Sequence, residues 1–165
     1  MASEINPYSK YLGDQDPLQV IARTPERVSK LFEQLGSDGQ QKTYAPGKWS
    51  AREIICHLAD CEVAFGFRLR QTLAEPNHVI QPFDQELWAR RYGTLDGSAA
   101  LAAFVNLRAW NEVLLKTLSP EDFNIAATHP ERGNMTFRSI VETMGGHDLN
   151  HLGQLEAIAS KGVSK

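Results

Sequence analysis

The sequence predicts an all-α protein, a four-helix bundle in which a long connection joins the second and third helices. Four segments carry apolar residues at the spacing of one helix face, with capping residues near their ends. No segment shows the alternating pattern of a convincing strand. The chain has 165 residues, which suits one domain, so we expect a single domain over residues 1–165 with its core from about residue 17 to about residue 160.

The first helix is predicted from the segment RTPERVSKLFEQLG. Thr24 is expected to be its N-cap, Pro25 takes the first helical position, and Gly36 stands where a C-cap belongs. The preceding DPLQVIA is either an extra turn or a kinked start of the same helix.

The second helix is expected to begin after Ser50, which forms a capping box with Glu53 three residues later. The connection that follows it, PNHVIQPFDQELWARRYGTLDGS, includes a short helical piece around residues 84–91. A link of this length can cross the bundle, so its flanking helices need not be antiparallel neighbours. The apolar stripe of the second helix contains one histidine: Ile54, His57 with Leu58, Cys61, Ala64 with Phe65, and Arg68 with Leu69.

The third helix is predicted from SAALAAFVNLRAWNEVLLKTLSPED. A loop that contains FNIAATHPERGNM leads to Thr136, which opens the fourth helix. We expect the termini MASEINPYSK and KGVSK to be frayed. The core positions of the third helix are predicted to be Ala100, Phe104, Leu107, Val113 or Leu114, and Leu118.

Composition excludes several classes of protein. The net charge is −3, so the chain lacks the basic bias of a nucleic-acid-binding protein. No apolar run approaches the ~18 residues of a membrane span, and the N-terminus lacks the features of a signal peptide. Cys56 and Cys61 lie about 140° apart on a helix, which disfavours a disulfide between them. We therefore expect a cytoplasmic protein that binds neither nucleic acid nor membrane.

Two histidines of the fourth helix lie where core residues belong. His147 and His151 are four residues apart, hence on one helix face, and each buried imidazole needs a partner to offset its desolvation. One metal ion would serve both. They belong to a seam at helical spacing: Ile140, Met144, His147, His151, Gln154 and Ile158.

A third ligand is suggested by the second helix, where His57 also occupies a seam position. Bundles build metal sites from inward side chains of facing helices, and three imidazoles leave coordination positions open for substrate. The residues alone leave two alternatives, a metal site and a buried polar network, because about 90 residues separate His57 from the pair and the spacing is not diagnostic.

Four segments in this order resemble the DinB superfamily, and more narrowly its YfiT-like branch: KWSAREIICHLADCEVAFGFRLR, FDQELWARRY, HPERGNMTF and HDLNHLGQL. The resemblance extends from about Arg23 to about Ile158. It implies a four-helix bundle, often dimeric, and members described as metal-dependent hydrolases or thiol-dependent transferases. It also implies a metal held by one histidine of the second helix and two of the fourth, which correspond to His57, His147 and His151.

Three further residues are candidates for the site. Asp60 either orients a ligand imidazole or is a surface charge, and His129 either faces substrate or is an ordinary loop histidine. Gln154 shares the histidine face and is a candidate ligand or partner of a ligand. Asp148 follows His147 where a zincin has its base, but no third zincin ligand lies downstream. His78 is expected at the surface.

The pair Gly145-Gly146 departs from the bulkier residues expected in relatives. Glycine inside a helix costs about 1 kcal/mol relative to alanine, so the pair needs a reason. Either another helix crosses this one closely, or the missing side chains widen a pocket beside the metal.

A divalent ion, Zn, Ni, Fe or Mn, would lower the pKa of a bound water or thiol. We expect a small-molecule substrate and rank transfer of a low-molecular-weight thiol above hydrolysis of an amide or ester, because no carboxylate on the histidine seam offers a base for water. A third possibility is a non-catalytic module that the metal stabilises. The resemblance also implies a homodimer.

Overall fold

The computed structural model describes residues 6–75 and 77–161. Four long helices dominate this part of the chain and confirm the predicted bundle, and the long connection between the second and third of them holds a short helix. In chain order the helices are α1 (Ser9–Leu12), α2 (Pro17–Gly39), α3 (Ala51–Ala74), α4 (Gln85–Ala89), α5 (Gly97–Leu115) and α6 (Phe137–Lys161). None of the described helices is both long and apolar enough to cross a membrane.

The helices α3 and α5 pack against each other and run parallel. Arg52, near the start of α3, lies against Gly97 at the start of α5, and further along Glu62 pairs with Arg108. The connection between them therefore returns the chain to the end of the bundle at which α3 begins, as its length allows.

The helices α2 and α6 form a second parallel pair. Pro17 lies against Gly145 near the beginning of both helices, and Arg27 pairs with Glu156 further along. This pair packs against the first one in the opposite direction, since His57 of α3 lies beside His151 of α6, while later residues of α3 meet earlier ones of α6. Side chains of α3 and α6 thus face each other across the core.

The predicted N-cap of the first helix, Thr24, is wrong, and the alternative that DPLQVIA belongs to the start of the same helix is confirmed. The helix α2 begins at Pro17, with Asp16 as an N-cap whose carboxylate accepts from the backbone N–H of Leu18. Thr24 lies inside the helix, buried, and its hydroxyl donates to the carbonyl of Val20. Pro25 is likewise interior. The TP pair resembles a helix start, but Val20 and Ile21 before it are buried, and the helix extends two turns further toward the N-terminus.

The start of α3 is confirmed. Ser50 accepts from the backbone N–H of Glu53, and the Glu53 carboxylate accepts from the backbone N–H of Ser50.

In α5 the predicted core is only partly right. Phe104 is buried, but Arg108 and Asn111 take the buried positions next to it, while Leu107 is half-buried. Val113 is exposed. These polar side chains are buried because they bind carboxylates in the core: Arg108 pairs with Glu62 of α3 and Asp148 of α6, and Asn111 donates to Glu62.

The loop before α6 contains strands that the sequence pattern did not predict. Ala126–His129 and Gly133–Thr136 form an antiparallel hairpin, β2 and β3, and His78–Val79 adds a short parallel strand, β1, beside β2. Each strand has four residues or fewer, too short for an alternating pattern to be recognised. His78 is buried in this sheet and its Nδ1–H donates to the carboxylate of Glu75, so its predicted surface position is wrong.

The N-terminal segment is packed rather than frayed from Asn6 onward; residues 1–5 and 162–165 lie outside the described residues. A Cβ on Gly146 would lie 2.6 Å from the carbonyl oxygen of Tyr8, and one on Gly145 would lie 3.2 Å from Leu12. The glycine pair therefore permits a close crossing by the N-terminal segment, and the alternative that it widens a pocket is wrong.

Candidate metal centre

Three histidines from two facing helices meet in the core of the bundle. His57 comes from α3, and His147 and His151 come from successive turns of α6, and all three are buried. The Nε2 atoms of His57 and His147 lie 2.9 Å apart, and one nitrogen from each ring lies within 4.8 Å of the others. The structure thus brings together the three residues that the sequence pattern selected.

The imidazoles are neutral at physiological pH. Burial lowers the pKa of His57 to about 3 and that of His151 to about 4, and it lowers the pKa of His147 well below its usual value. The neighbouring histidines lower the pKa of His57 and His147 further. Neutral rings present lone pairs, which is the form that binds a metal.

The donor set fits a cation. Two nitrogen lone pairs cannot face each other at 2.9 Å without a proton or a cation between them. In addition, Nδ1 of His147 is buried without a hydrogen-bond partner among the described residues, so no hydrogen bond to the protein offsets the desolvation of this nitrogen. A divalent ion bound by a nitrogen of each of the three rings would offset that cost.

Gln154 fixes the orientation of one ring. Its Oε1 accepts from Nδ1 of His151 at 2.9 Å, so the proton of that ring is on Nδ1 and the lone pair is on Nε2. Such a partner of a metal-binding histidine typically supports its affinity. Of the two roles open to Gln154, the structure favours that of a partner of His151.

Asp60 is placed differently from the prediction. Its carboxylate accepts from the hydroxyl of Tyr92 at 2.8 Å, and within the described residues it makes no bond to a histidine. Tyr92 lies beside the rings of His57 and Trp49, so the contact of Asp60 with the histidine cluster runs through Tyr92.

Two cavities adjoin the histidines. The first, called the His147 cavity, measures about 330 Å³ and is lined by His147, Tyr8, Cys61, Arg68, His129 and Arg132, among others. The second, the His151 cavity, measures about 410 Å³ and is lined by His151, Gln154, Tyr8, Trp49, Lys48 and Tyr44, among others. His129, a candidate for facing substrate, therefore lies at the cavity that reaches His147.

Three residues at the site were not anticipated. Tyr8 lines both cavities and packs edge-on against His147, with 5.2 Å between ring centroids. Cys61 places its sulfur 3.4 Å from Nε2 of His57, and burial raises the pKa of its thiol. Trp49 packs on His57 at 4.7 Å. The sequence pointed to two of them only indirectly. The glycine pair implies a close neighbour, which is Tyr8, and Cys61 follows His57 by one helical turn.

Asp148 does not act as a base. Its carboxylate accepts from Nη1 and Nη2 of Arg108, which also donates to Glu62. Burial raises the pKa of Asp148, whereas the guanidinium lowers it. Burial alone would lower the pKa of Arg108, but the two carboxylates raise it overall. Arg108, Glu62 and Asp148 are all buried, so the guanidinium and the two carboxylates neutralise one another in the core.

Comparison with known proteins agrees with this fold. The "Putative metal-dependent hydrolase" OB0782 of Oceanobacillus iheyensis is 28% identical over 144 residues, 86% of this chain and 83% of that protein. The "Putative metal-dependent hydrolase" YfiT of Bacillus subtilis is 24% identical over 147 residues, 87% of this chain and 83% of that protein.

The structure of Bacillus subtilis YfiT superimposes with a TM-score of 0.81 at 23% identity, covering 93% of this chain and 86% of that one. YfiT is described as having "an unusual four-helix bundle topology", which is the fold seen here. Residues 21–155 of this chain match the DinB superfamily. The chain therefore belongs to the DinB superfamily, in its YfiT-like branch.

Proposed function

We propose that this protein is a metal-dependent enzyme in which His57, His147 and His151 hold one divalent ion. The proposal rests on one observation: three buried, neutral imidazoles converge, and two of them, His147 and His151, each line a cavity. A bound divalent ion supplies Lewis acidity, which lowers the pKa of a water or thiol at an open position. The surrounding residues then have to bind the second reactant and exclude competing water.

Thiol transfer to an electrophile is the reaction that this arrangement supports best. The carboxylates nearest the histidines along the helices all have partners: Asp60 bonds to Tyr92, and Glu62 and Asp148 bond to Arg108. None of these three is available to deprotonate a water, whereas a thiol ionises more readily. Two cavities also offer separate places for a thiol and an electrophile, both bounded by Tyr8.

Hydrolysis of an amide or ester is the second candidate. The names of the relatives favour it, and His129 lies on the wall of the His147 cavity. Burial lowers the pKa of His129, so its ring is neutral near pH 7. In this reaction the His147 cavity holds the acyl or amide group, with the neutral ring of His129 on its wall.

A non-catalytic module is the third candidate, in which the metal or a polar network only stabilises the bundle. The His57→Ala variant separates this from an enzyme. An enzyme loses bound metal and activity while the variant stays helical, whereas a structural site makes the variant unfold at lower urea concentration and leaves no activity to lose.

The first experiment measures metal in untagged protein by elemental analysis after growth with Zn, Ni, Mn and Fe. We expect one equivalent, and content well below one equivalent contradicts the proposal. The loaded protein is then assayed with cysteine and monochlorobimane, and separately with p-nitrophenyl acetate. In the first assay a sulfur–carbon bond forms as the carbon–chlorine bond breaks, chloride leaves with the electron pair, and the thiol proton passes to solvent.

We also propose a homodimer and a cytoplasmic location. Large apolar side chains are exposed on α3 and α5, with Phe67 at 55% and Trp110 at 62%, and exposed apolar area of this kind is common at subunit interfaces. A Trp110→Glu variant should sediment as a monomer if this surface joins two copies. The two cysteines, both unpaired, agree with a reducing compartment.

A further inference from the structure

We propose that the His147 cavity binds the anionic group, a carboxylate, of a small substrate through Arg68 and Arg132. This inference rests on the proposed function, since it places the reacting end of the substrate at the histidines. The cavity volume of about 330 Å³ lies at the lower end of small-molecule sites, so the ligand is a small organic acid rather than a peptide.

This cavity has more basic than acidic residues, although the whole chain has a negative net charge. The chain carries a net charge of −3, yet Arg68 and Arg132 both line the cavity that reaches His147, and Glu131 is the one acidic residue among the described lining residues. Cations in a concave site with apolar walls raise the local concentration of anions. The ring of Phe65 contacts both Arg68 and His147, with its centroid 6.0 Å from Cζ of Arg68 and 5.8 Å from the His147 ring.

Arg68 is held in place with donors to spare. Among the described residues its guanidinium makes one hydrogen bond, from Nη2 to the carbonyl of Gln81 at 3.1 Å, and it packs over Phe83 at 5.5 Å. Burial lowers its pKa, and Arg132 lowers it further. Two guanidinium groups close enough to repel each other gain from an anion between them, and arginine binds carboxylate in a bidentate fork.

His129 adds a neutral donor to the same wall. Its Nδ1 accepts from the backbone N–H of Glu131 at 3.2 Å, so the ring proton lies on Nε2. Burial and the two arginines lower its pKa, while Glu131 raises it. The ring therefore stays neutral and provides an N–H for an anion instead of adding a third charge.

The test compares two probes that differ only in charge, 3-mercaptopropionate and 3-mercaptopropionamide. Binding is measured twice, by thiolate-to-cobalt absorbance in cobalt(II)-loaded protein and by calorimetry in metal-free protein. We expect the acid to bind about tenfold more tightly than the amide, a difference typical of one charge-assisted contact. In Arg68→Gln and Arg132→Gln the preference should fall below about threefold, with affinity for the amide unchanged.

Arg138→Gln is the control, because Arg138 is exposed and does not line this cavity; it should keep the preference. Equal binding of acid and amide to the unaltered protein, or a preference that survives both cavity variants, overturns the inference. Failure of the proposed function is seen separately, as loss of the cobalt absorbance with both probes. In that case the calorimetric comparison on metal-free protein still decides whether the cavity prefers the anion.

Discussion

Arg108 donates from Nη1 to the carbonyl oxygen of Ile21 at 2.9 Å. That carbonyl would normally accept from the backbone N–H four residues later, but residue 25 is proline and has none. The guanidinium supplies the missing donor and also binds Glu62 and Asp148. One buried side chain of α5 thus bonds to α2, α3 and α6, next to the histidine cluster.

Replacing Arg108 should destabilise the fold strongly. In Arg108→Met the carboxylates of Glu62 and Asp148 stay buried without a cation, and the carbonyl of Ile21 loses its donor. Breaking a buried ion pair in this way costs about 3–5 kcal/mol. Urea unfolding followed by circular dichroism measures the change in the free energy of unfolding.

The control for Arg108 is Arg27→Met, which removes an exposed ion pair with Glu156. Exposed pairs contribute about 0–1 kcal/mol, so this variant should differ little from the parent protein. If both variants lose the same small amount of stability, the buried network does not hold the helices together as described.

Gly146→Ala should displace the N-terminal segment. The new Cβ would lie 2.6 Å from the carbonyl oxygen of Tyr8, a backbone atom that cannot move without the segment. We expect lower stability and faster proteolysis near Tyr8. Gly153→Ala, in the same helix with nothing within 4 Å, should instead raise stability by about 1 kcal/mol. Equal effects of the two substitutions would contradict the close crossing.

Gln154→Ala should weaken metal binding without unfolding the protein. The substitution removes the acceptor for Nδ1 of His151, so the ring can rotate or shift its proton to Nε2. Loss of such a partner typically costs about 10–100-fold in affinity, measurable by competition with a chromophoric chelator. Gln154→Glu keeps an acceptor and should retain tight binding; an equal loss in both variants argues against the orienting role.

The stability of the metal-free protein should fall as the pH drops. In the folded state the pKa of His57 is about 3 and that of His151 about 4, both below the usual 6.5. Between these values the unfolded chain binds protons that the folded chain does not, so stability is full above about pH 6.5 and declines below it. Each such histidine adds up to about 1.4 kcal/mol per pH unit.

Urea unfolding from pH 8 to pH 5 in the presence of a chelator measures this slope. His57→Phe removes one of the titrating groups while it keeps an aromatic ring, and it should flatten the decline. A stability that does not change between pH 7 and pH 5 in the metal-free protein would show that the histidines are not buried in the neutral form.

The histidine cluster could be predicted because its signal is short in range. His147 and His151 share a helix face through the helical repeat alone, and His57 is a polar residue on an otherwise apolar stripe. The cavity residues had no such signal. Arg68 lies on the apolar stripe of α3, but the pattern assigned it no role. Arg132 lies in the turn between β2 and β3, and these strands are too short to show a pattern.

The sequence by itself determined the four long helices, the capping box of Ser50 and Glu53, and the position of each of the three imidazoles on the apolar stripe of its own helix. These features depend on residues within one or two helical turns of each other, where periodicity and capping act directly. Only the tertiary structure decided the contact of Tyr8 with Gly146, the burial of Arg108, and the meeting of Arg68 with His129 beside the histidines. Each of these needs partners far apart in the chain, and their positions follow from how the helices pack rather than from any local preference.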